Sequence, residues 1–390
     1  MNLKTISLLF ALLSIWNIAH TEEDLLIENA DTLNTIITPN KDTTSAKKSF
    51  IYRALNQTKP VKYLAFPLVY YTPETKLMLG AGAIASWKMK NDSANTASFI
   101  SPWFTYSTNR QVRGQIFGSL YFNGQKHQLD FETEFQKLKR PFFGIGNKLD
   151  KDFEEIALTR SYSLNVSYFN RIKKVFLIGG IYDLDDTYQI DAEPGKILDT
   201  TDIEGKHGGF VQGLGLQAAF DNRDDIYFPY KGNFFQVNAV GYPTFLGSKY
   251  QFATVKAEYR SFINIKRKVV LASQILAKMS FGDVPFYKMP TLGGDEILRG
   301  YTNGRGRDKF LFNLQGELRV PLNRFIISGF FGSGIVGDKF MDYFKVKDYS
   351  YSIGAGARFK PFKESGVVLR MDVGFWQGTY GIYFVFNEAF

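Results

Sequence analysis

From Val61 to Phe390 the sequence alternates apolar and polar residues through sixteen stretches separated by turn residues. Successive side chains of a β-strand point to opposite faces, so each stretch reads as a strand with one apolar and one polar side. The stretches run from 62–72 to 380–390. Those used most below are the fifth (126–138), eleventh (267–280), twelfth (307–320) and thirteenth (324–336). The gaps between strands are sorted by parity. Long ones follow strands five, seven, eleven and thirteen, whereas gaps after even-numbered strands are mostly short, Asn222 to Lys231 being the longer exception. Bacterial membrane barrels alternate short periplasmic turns with long extracellular loops in this way. A soluble sandwich has no reason to. We therefore expect an all-β protein, a sixteen-stranded antiparallel transmembrane β-barrel over residues 61–390.

Composition agrees. The chain has 37 Phe, 22 Tyr and 35 Gly, and 45% of its residues are hydrophobic, which is too apolar for disorder. Beyond the first 20 residues no run approaches the ~18 apolar residues of a spanning helix. Residues 1–21 read as a secretory signal peptide: Lys4, a short apolar stretch from Ile6 to Trp16, then Ala19-His20-Thr21. Residues 22–60 are polar, without a sustained period, and read as a periplasmic tail or linker. At about 40 residues this stretch is too short for a domain with its own core. The expected location is the cell outer membrane. There is no cysteine, which excludes disulfides and thiol-ligated metals. The net charge of +9 is spread over short turns such as Arg171-Ile172-Lys173-Lys174. The expected partner is thus the outer-membrane lipid bilayer, with no nucleic acid.

Alternation also assigns faces. In the fifth strand Leu129, Phe131 and Phe135 point towards lipid, and Asp130, Glu132, Glu134 and Gln136 point inward. In the twelfth, Phe310, Phe312, Leu314 and Leu318 point out while Asn313, Gln315, Glu317 and Arg319 point in. In the last, Tyr380, Ile382, Phe384 and Phe386 share the lipid side. A charge on the lipid side near mid-bilayer costs about 2–4 kcal/mol, so the charged residues belong in a polar lumen. Between strands eleven and twelve lies Pro290-Thr291-Leu292-Gly293-Gly294-Asp295-Glu296-Ile297-Leu298-Arg299-Gly300-Tyr301. We expect this loop to fold back into the lumen, with Leu298, Arg299, Gly300 and Tyr301 as its anchor.

At Leu298-Arg299-Gly300-Tyr301 the chain resembles the BamA/TamA superfamily of outer-membrane assembly barrels, the bacterial surface-antigen family. Those sixteen-stranded barrels carry an Arg-Gly-aromatic motif at the tip of the loop between strands eleven and twelve. Phe143-Gly144-Ile145-Gly146-Asn147 is similar too, as is Asp221-Asn222-Arg223-Asp224 followed by Pro229 and Lys231-Gly232. The resemblance covers roughly residues 61–390. It implies that the loop arginine pairs with acidic residues on the next two strands. Glu317 stands at the first of these positions, and alternation points it inward. At the second, the family's Phe-x-Asp-x-Gly reads Phe330-Phe331-Gly332-Ser333-Gly334, so Gly332 replaces the Asp and Arg299 loses that partner. A confined guanidinium still needs carboxylates or carbonyls to offset its lost hydration. Glu317 is the expected partner, with the face of Phe330 as a cation–π neighbour.

The resemblance further implies a weak seam between the first and last strands, here Tyr63 to Tyr71 against Tyr380 to Phe390. In that strand Tyr380, Phe384, Phe386 and Phe390 also supply the C-terminal insertion signal. Family members that insert or transport proteins usually carry periplasmic POTRA domains, and residues 22–60 cannot hold one. The chain is therefore identified as a barrel-only member. The implied function is assisting insertion or translocation of proteins or lipids at the outer membrane. Unfolded outer-membrane protein clients and a periplasmic accessory protein are the implied partners.

Two other classes stay open from the residues: a transport channel for small solutes, and a surface-exposed structural or antigenic barrel working through loops 139–155, 186–207 and 337–349. The acid-rich run from Asp183 to Glu204 reads as a solvated outer loop, since a Ca²⁺ site needs tightly clustered oxygens. Catalysis finds no support. His20, His127 and His207 are scattered, and no Gly-x-Ser-x-Gly elbow or phosphate-cradling loop is present. The pairs Gly80/Gly82, Gly213/Gly215 and Gly354/Gly356 fall within strands, where they relieve crowding. We expect no enzyme, no cofactor and no metal site.

Overall fold

A computed structural model describes residues 61–72, 76–88, 97–150, 154–266, 269–360, 368–386 and 388–390. The expected signal peptide (1–21) and linker (22–60) lie outside the described residues. Sixteen strands form one antiparallel sheet in which each pairs with its neighbour in sequence. They are β1 (Lys62–Thr72), β2 (Lys76–Trp87), β3 (Ser98–Ser107), β4 (Val112–Phe122), β5 (His127–Phe142), β6 (Glu155–Arg171), β7 (Phe176–Asp191), β8 (Gly209–Asp221), β9 (Gly232–Tyr242), β10 (Phe252–Lys266) and β11 (Val269–Gly282). A two-stranded ribbon, β12 (Thr291–Leu292) with β13 (Gly306–Arg307), then interrupts the connection to β14 (Phe310–Leu322). The sheet continues through β15 (Phe325–Gly337), β16 (Ser350–Phe359), β17 (Leu369–Trp376) and β18 (Thr379–Phe386). β1 and β18 stand at its two ends.

The sheet is inverted relative to a soluble one. Along β15, Phe325, Ile327, Gly329 and Phe331 are exposed while Ile326, Ser328, Phe330 and Gly332 are buried. On β14 Leu314, Leu318 and the terminal Leu322 are exposed, and Asn313, Gln315, Glu317 and Arg319 are covered. The apolar side is bare and the polar side sheltered, whereas a half-solvated soluble sheet does the opposite. Leu216, in the middle of β8, is 76% exposed. We expect Leu216→Arg to lower folding stability in lipid vesicles by about 2–4 kcal/mol, read from urea titrations. An unchanged midpoint would show that this face never meets hydrocarbon.

Two expectations about strand ends need correction. β5, β6 and β7 have 16, 17 and 16 residues, so part of the expected loops 139–155 and 186–207 is strand. At ~3.3 Å per residue such a strand spans roughly 55 Å, far beyond an apolar band ~25 Å tall even when tilted. Past the band both faces meet water and alternation is no longer required, so Lys139 and Arg140 sit in β5. Asp183, Asp185, Asp186 and Asp191 sit in β7 rather than in a solvated loop, Asp183 near the middle of the strand. At the other end of the chain, β18 stops at Phe386. Phe390 does not continue the strand. Ala389 and Phe390 are buried against Phe262, Val270 and Ala272, and Arg319 Nη2 donates to the Phe390 main-chain oxygen at 3.1 Å.

Two connections lie across the polar face. In the turn between β8 and β9 (222–231), the Tyr227 hydroxyl donates to the Ala97 carbonyl at 2.8 Å, and its ring packs on Phe99 and Tyr121. The adjacent Phe228 lies under the Lys360 ammonium, 3.5 Å from its ring centroid, and beside Arg319. One short turn thus touches β3 and β4 as well as β14 and the residue following β16. The second connection, 283–309, carries the site.

Candidate functional site

The 283–309 connection is pinned at both ends, and its tip meets the polar side of β14 and β17. Near its start a helical turn, Phe286–Lys288, sends Lys288 Nζ to Asp183 Oδ2 on β7 at 2.8 Å. The same oxygen accepts the Tyr242 hydroxyl at 2.7 Å. Near its end Arg307 exchanges two main-chain hydrogen bonds with Gly146, at 2.7 and 3.0 Å, and its Nη1 donates to the Phe286 carbonyl at 2.7 Å. Burial, with Arg140 as a second cation nearby, lowers the Arg307 pKa to about 10, so it stays charged at neutral pH.

The tip is shaped by backbone conformation. Leu298 and Gly300 both have positive φ, +52° and +102°, which turns the chain sharply on either side of Arg299. Glycine is required at 300 for a second reason. A Cβ there would come within 2.5 Å of the β17 main chain at Gly374 and Phe375, and a Cβ on Gly374 would lie 2.4 Å from the Arg299 carbonyl oxygen. The two backbones touch because neither residue has a side chain. Leu298 is fully buried and fills the space beside Gly332, where an added Cβ would meet it at 3.3 Å. Tyr301 is buried against Trp376, with ring centroids 4.5 Å apart, and burial raises its phenol pKa. Gly300 N–H donates to the Tyr383 hydroxyl at 3.0 Å.

Arg299 enters a cluster of guanidinium and carboxylate groups. Its Nη2 donates to Glu317 Oε2 at 2.8 Å and its Nη1 to Asp372 Oδ2 at 2.5 Å, while its Cζ lies 3.6 Å above the Phe330 ring centroid. Glu317 Oε1 also takes Arg319 Nε at 3.0 Å and Arg358 Nη2 at 2.7 Å. Asp372 Oδ1 takes Arg358 Nη1 at 2.7 Å, and Arg370 Nη1 lies 3.3 Å from Asp372 Oδ2. Glu388, just past β18, accepts Arg358 Nε at 3.1 Å and sits 3.5 Å from Arg319 Nη2. The half-exposed Asp295 lies 3.7 Å from Arg370. Four arginines and four carboxylates therefore balance, and all but Asp295 are shut away from solvent. In so dry a setting each charge depends on its partners, and removing one strands the others. The cluster fastens the tip of the connection to β14, β16 and β17 and to the residues after β18.

Sequence reasoning found part of this set. Arg299, Glu317 and Phe330 lie together at the distances above. Asp372, Arg358, Arg370 and Glu388 were missed. Arg299 does lack an acid on β15, but Asp372 on β17 stands in for it, and Leu298 fills the room beside Gly332. A usable signal was the alternation of β16 and β17, which puts Arg358, Arg370 and Asp372 on the polar side. Tyr380 and Phe384 project from the bare face of β18, 65% and 45% exposed, and Phe386 is its last residue.

Residues 78–362 match the family described as the Omp85 superfamily domain. The chain belongs to the Omp85 superfamily. No curated protein matches it. Among solved structures, its fold is similar to the Haemophilus ducreyi BamA lacking POTRA domains 1–3, with TM-score 0.50 and 14% identity over 84% of this chain and 69% of that one. It is also similar to CdiB from Acinetobacter baumannii (TM-score 0.50, 11% identity) and CdiB from Escherichia coli (TM-score 0.56, 10% identity). This chain is covered to 84% in both comparisons but spans only 59% and 62% of those two proteins. Omp85 barrels are outer-membrane proteins of insertion and translocation, and the inverted sheet of this member suits that setting.

Proposed function

We propose that residues 61–390 close into a sixteen-stranded barrel in the outer membrane that assists the insertion or translocation of proteins. The 283–309 connection is folded into its lumen as a brace. The observation that carries this reading is the Arg299 cluster. A single connection reaches Asp183 on β7 and Asp372 on β17, strands at distant places in the sheet, which supports a sheet curled around it. Turn 222–231 supports the same curvature by touching both β3 and β14. Closure would bring β1 beside β18, whose 8 residues make it one of the shortest strands of the sheet. That short contact is the natural seam through which a client strand or a lipid gains sideways access.

In this reading unfolded outer-membrane proteins are the clients and a periplasmic accessory protein delivers them. Arg299, held by Glu317, Asp372 and Phe330, keeps the lumen filled while the seam works. A solute channel is the second reading, favoured by the polar residues that line the inner face. Planar-bilayer recordings of the refolded chain separate the two. We expect the wild type to be quiet and Arg299→Ala to show frequent brief openings. Equal, steady conductance from both would sink the brace and favour the channel.

A further inference from the structure

The connection between β15 and β16, residues 338–349, does not join the others over the polar face. It folds outward onto the apolar one. Its turn Phe340–Phe344 lays Tyr343 against Phe310 and Phe312, with ring centroids 6.2 and 5.4 Å away. The Tyr343 hydroxyl lies 3.1 Å from the main-chain oxygens of both Lys278 and Leu311. Seating Tyr343 in this way turns its neighbours outward. Phe340, Met341, Phe344 and Val346 are 52%, 67%, 66% and 69% exposed. Lys339, Lys345 and Lys347 are exposed among them, Lys345 pairing with Asp342 at 2.7 Å.

A contiguous apolar patch of this kind marks a contact surface. Two observations identify the partner. The patch continues the bare apolar face of β14 and β15, where Leu314, Leu318, Ile327 and Phe331 are exposed. It also alternates with cations, a pattern that suits an interface with hydrocarbon on one side and phosphate on the other. The segment is held in register as well. Asn147 Nδ2 donates to the Asp348 carbonyl at 2.9 Å and Lys148 Nζ to the Lys347 carbonyl at 3.2 Å.

We propose that segment 338–349 is a lipid-binding element of the outer leaflet. Phe340, Met341, Phe344 and Val346 enter the acyl region at the rim of the barrel. Lys339, Lys345 and Lys347 take headgroup phosphates. The proposal builds on the outer-membrane reading and adds to it a defined lipid contact.

The test uses the full chain carrying Phe344→Trp, refolded into phosphocholine vesicles with or without bromine on the acyl chains. Fluorescence is read as the difference from wild type. Strong quenching of the added indole by bromine, with little quenching by aqueous acrylamide, is the expected result. A chain that incorporates normally but whose added indole is reached by acrylamide and untouched by bromine overturns the proposal and leaves the barrel standing. Failure of the wild type to incorporate at all would strike the barrel reading instead. For the headgroup half, spin-labelled phosphoglycerol lipid is offered in phosphocholine vesicles. Lys339→Gln/Lys347→Gln should weaken the preference for the anionic lipid severalfold, and an unchanged preference removes the lysines from the proposal.

Discussion

Asp372→Ala should destabilise the folded protein by about 3–5 kcal/mol, among the largest losses available from a single side chain. Asp372 lies against three guanidinium groups, from Arg299, Arg358 and Arg370, and all four side chains are closed to solvent. Removing the carboxylate leaves those cations with Glu317, Glu388 and the distant Asp295, so the lost attraction is compounded by desolvated charge with nothing to offset it. Urea titration in vesicles, following the folded band on an unheated detergent gel, measures the loss. A double-mutant cycle with Arg299→Met then isolates the pair. We expect a coupling of about 0.5–3 kcal/mol. A shift within 0.5 kcal/mol for Asp372→Ala would mean that water reaches the cluster and that the geometry described above does not persist.

Gly374→Val should dislodge the tip of the 283–309 connection altogether. The new Cβ would stand 2.4 Å from the Arg299 carbonyl oxygen and 2.7 Å from the Gly300 nitrogen. Both neighbours are main chain, so no rotamer change can relieve the contact. Either the connection leaves or β17 does. The connection has fewer hydrogen bonds to lose, so it should move, taking Arg299 out of its cluster. The expected readouts are protease cleavage between 293 and 306 and openings in planar-bilayer recordings. Gly241→Val serves as the control, because a Cβ there meets nothing within 4 Å. Cleavage no faster in Gly374→Val than in the control would show that the tip and β17 are not in contact.

How much of this was written in the sequence depended on how local the governing interaction was. The strands were legible because lipid on one side and polar groups on the other impose a period of two, and only within the membrane. Beyond it the constraint lapses, and so the far ends of β5 and β7 read as loop. Glu317 was legible because the family resemblance implies an acid at its position and its parity puts it on the polar face. Asp372 was not, because its place depends on register carried across three strand pairs. It lies opposite Gly356 on β16, which lies opposite Ser328 on β15, which lies opposite Arg319 on β14. The absent side chain of Gly356 is what makes room, since a Cβ there would meet Asp372 Oδ1 and, at 2.5 Å, Arg358 Nη1. The sequence marked Gly354 and Gly356 as positions that relieve crowding. It could not say what was crowded.

The turn at 222–231 bears on how the protein would open. In the proposed barrel the turn lies across one mouth, reaching from β3 to β14, while the 283–309 connection fills the lumen from the other. These are two doors in series along one corridor. The two meet at Arg319, which lies beside Phe228 of the turn and pairs with Glu317 of the Arg299 cluster, yet both must open for passage along the axis. Loosening one door alone yields brief coincidences of opening rather than a steady current. A route between β1 and β18 passes neither door. In that barrel the two doors would suppress leakage along the axis while leaving the sideways route outside them, so the membrane could stay sealed while the edge of the sheet remains available.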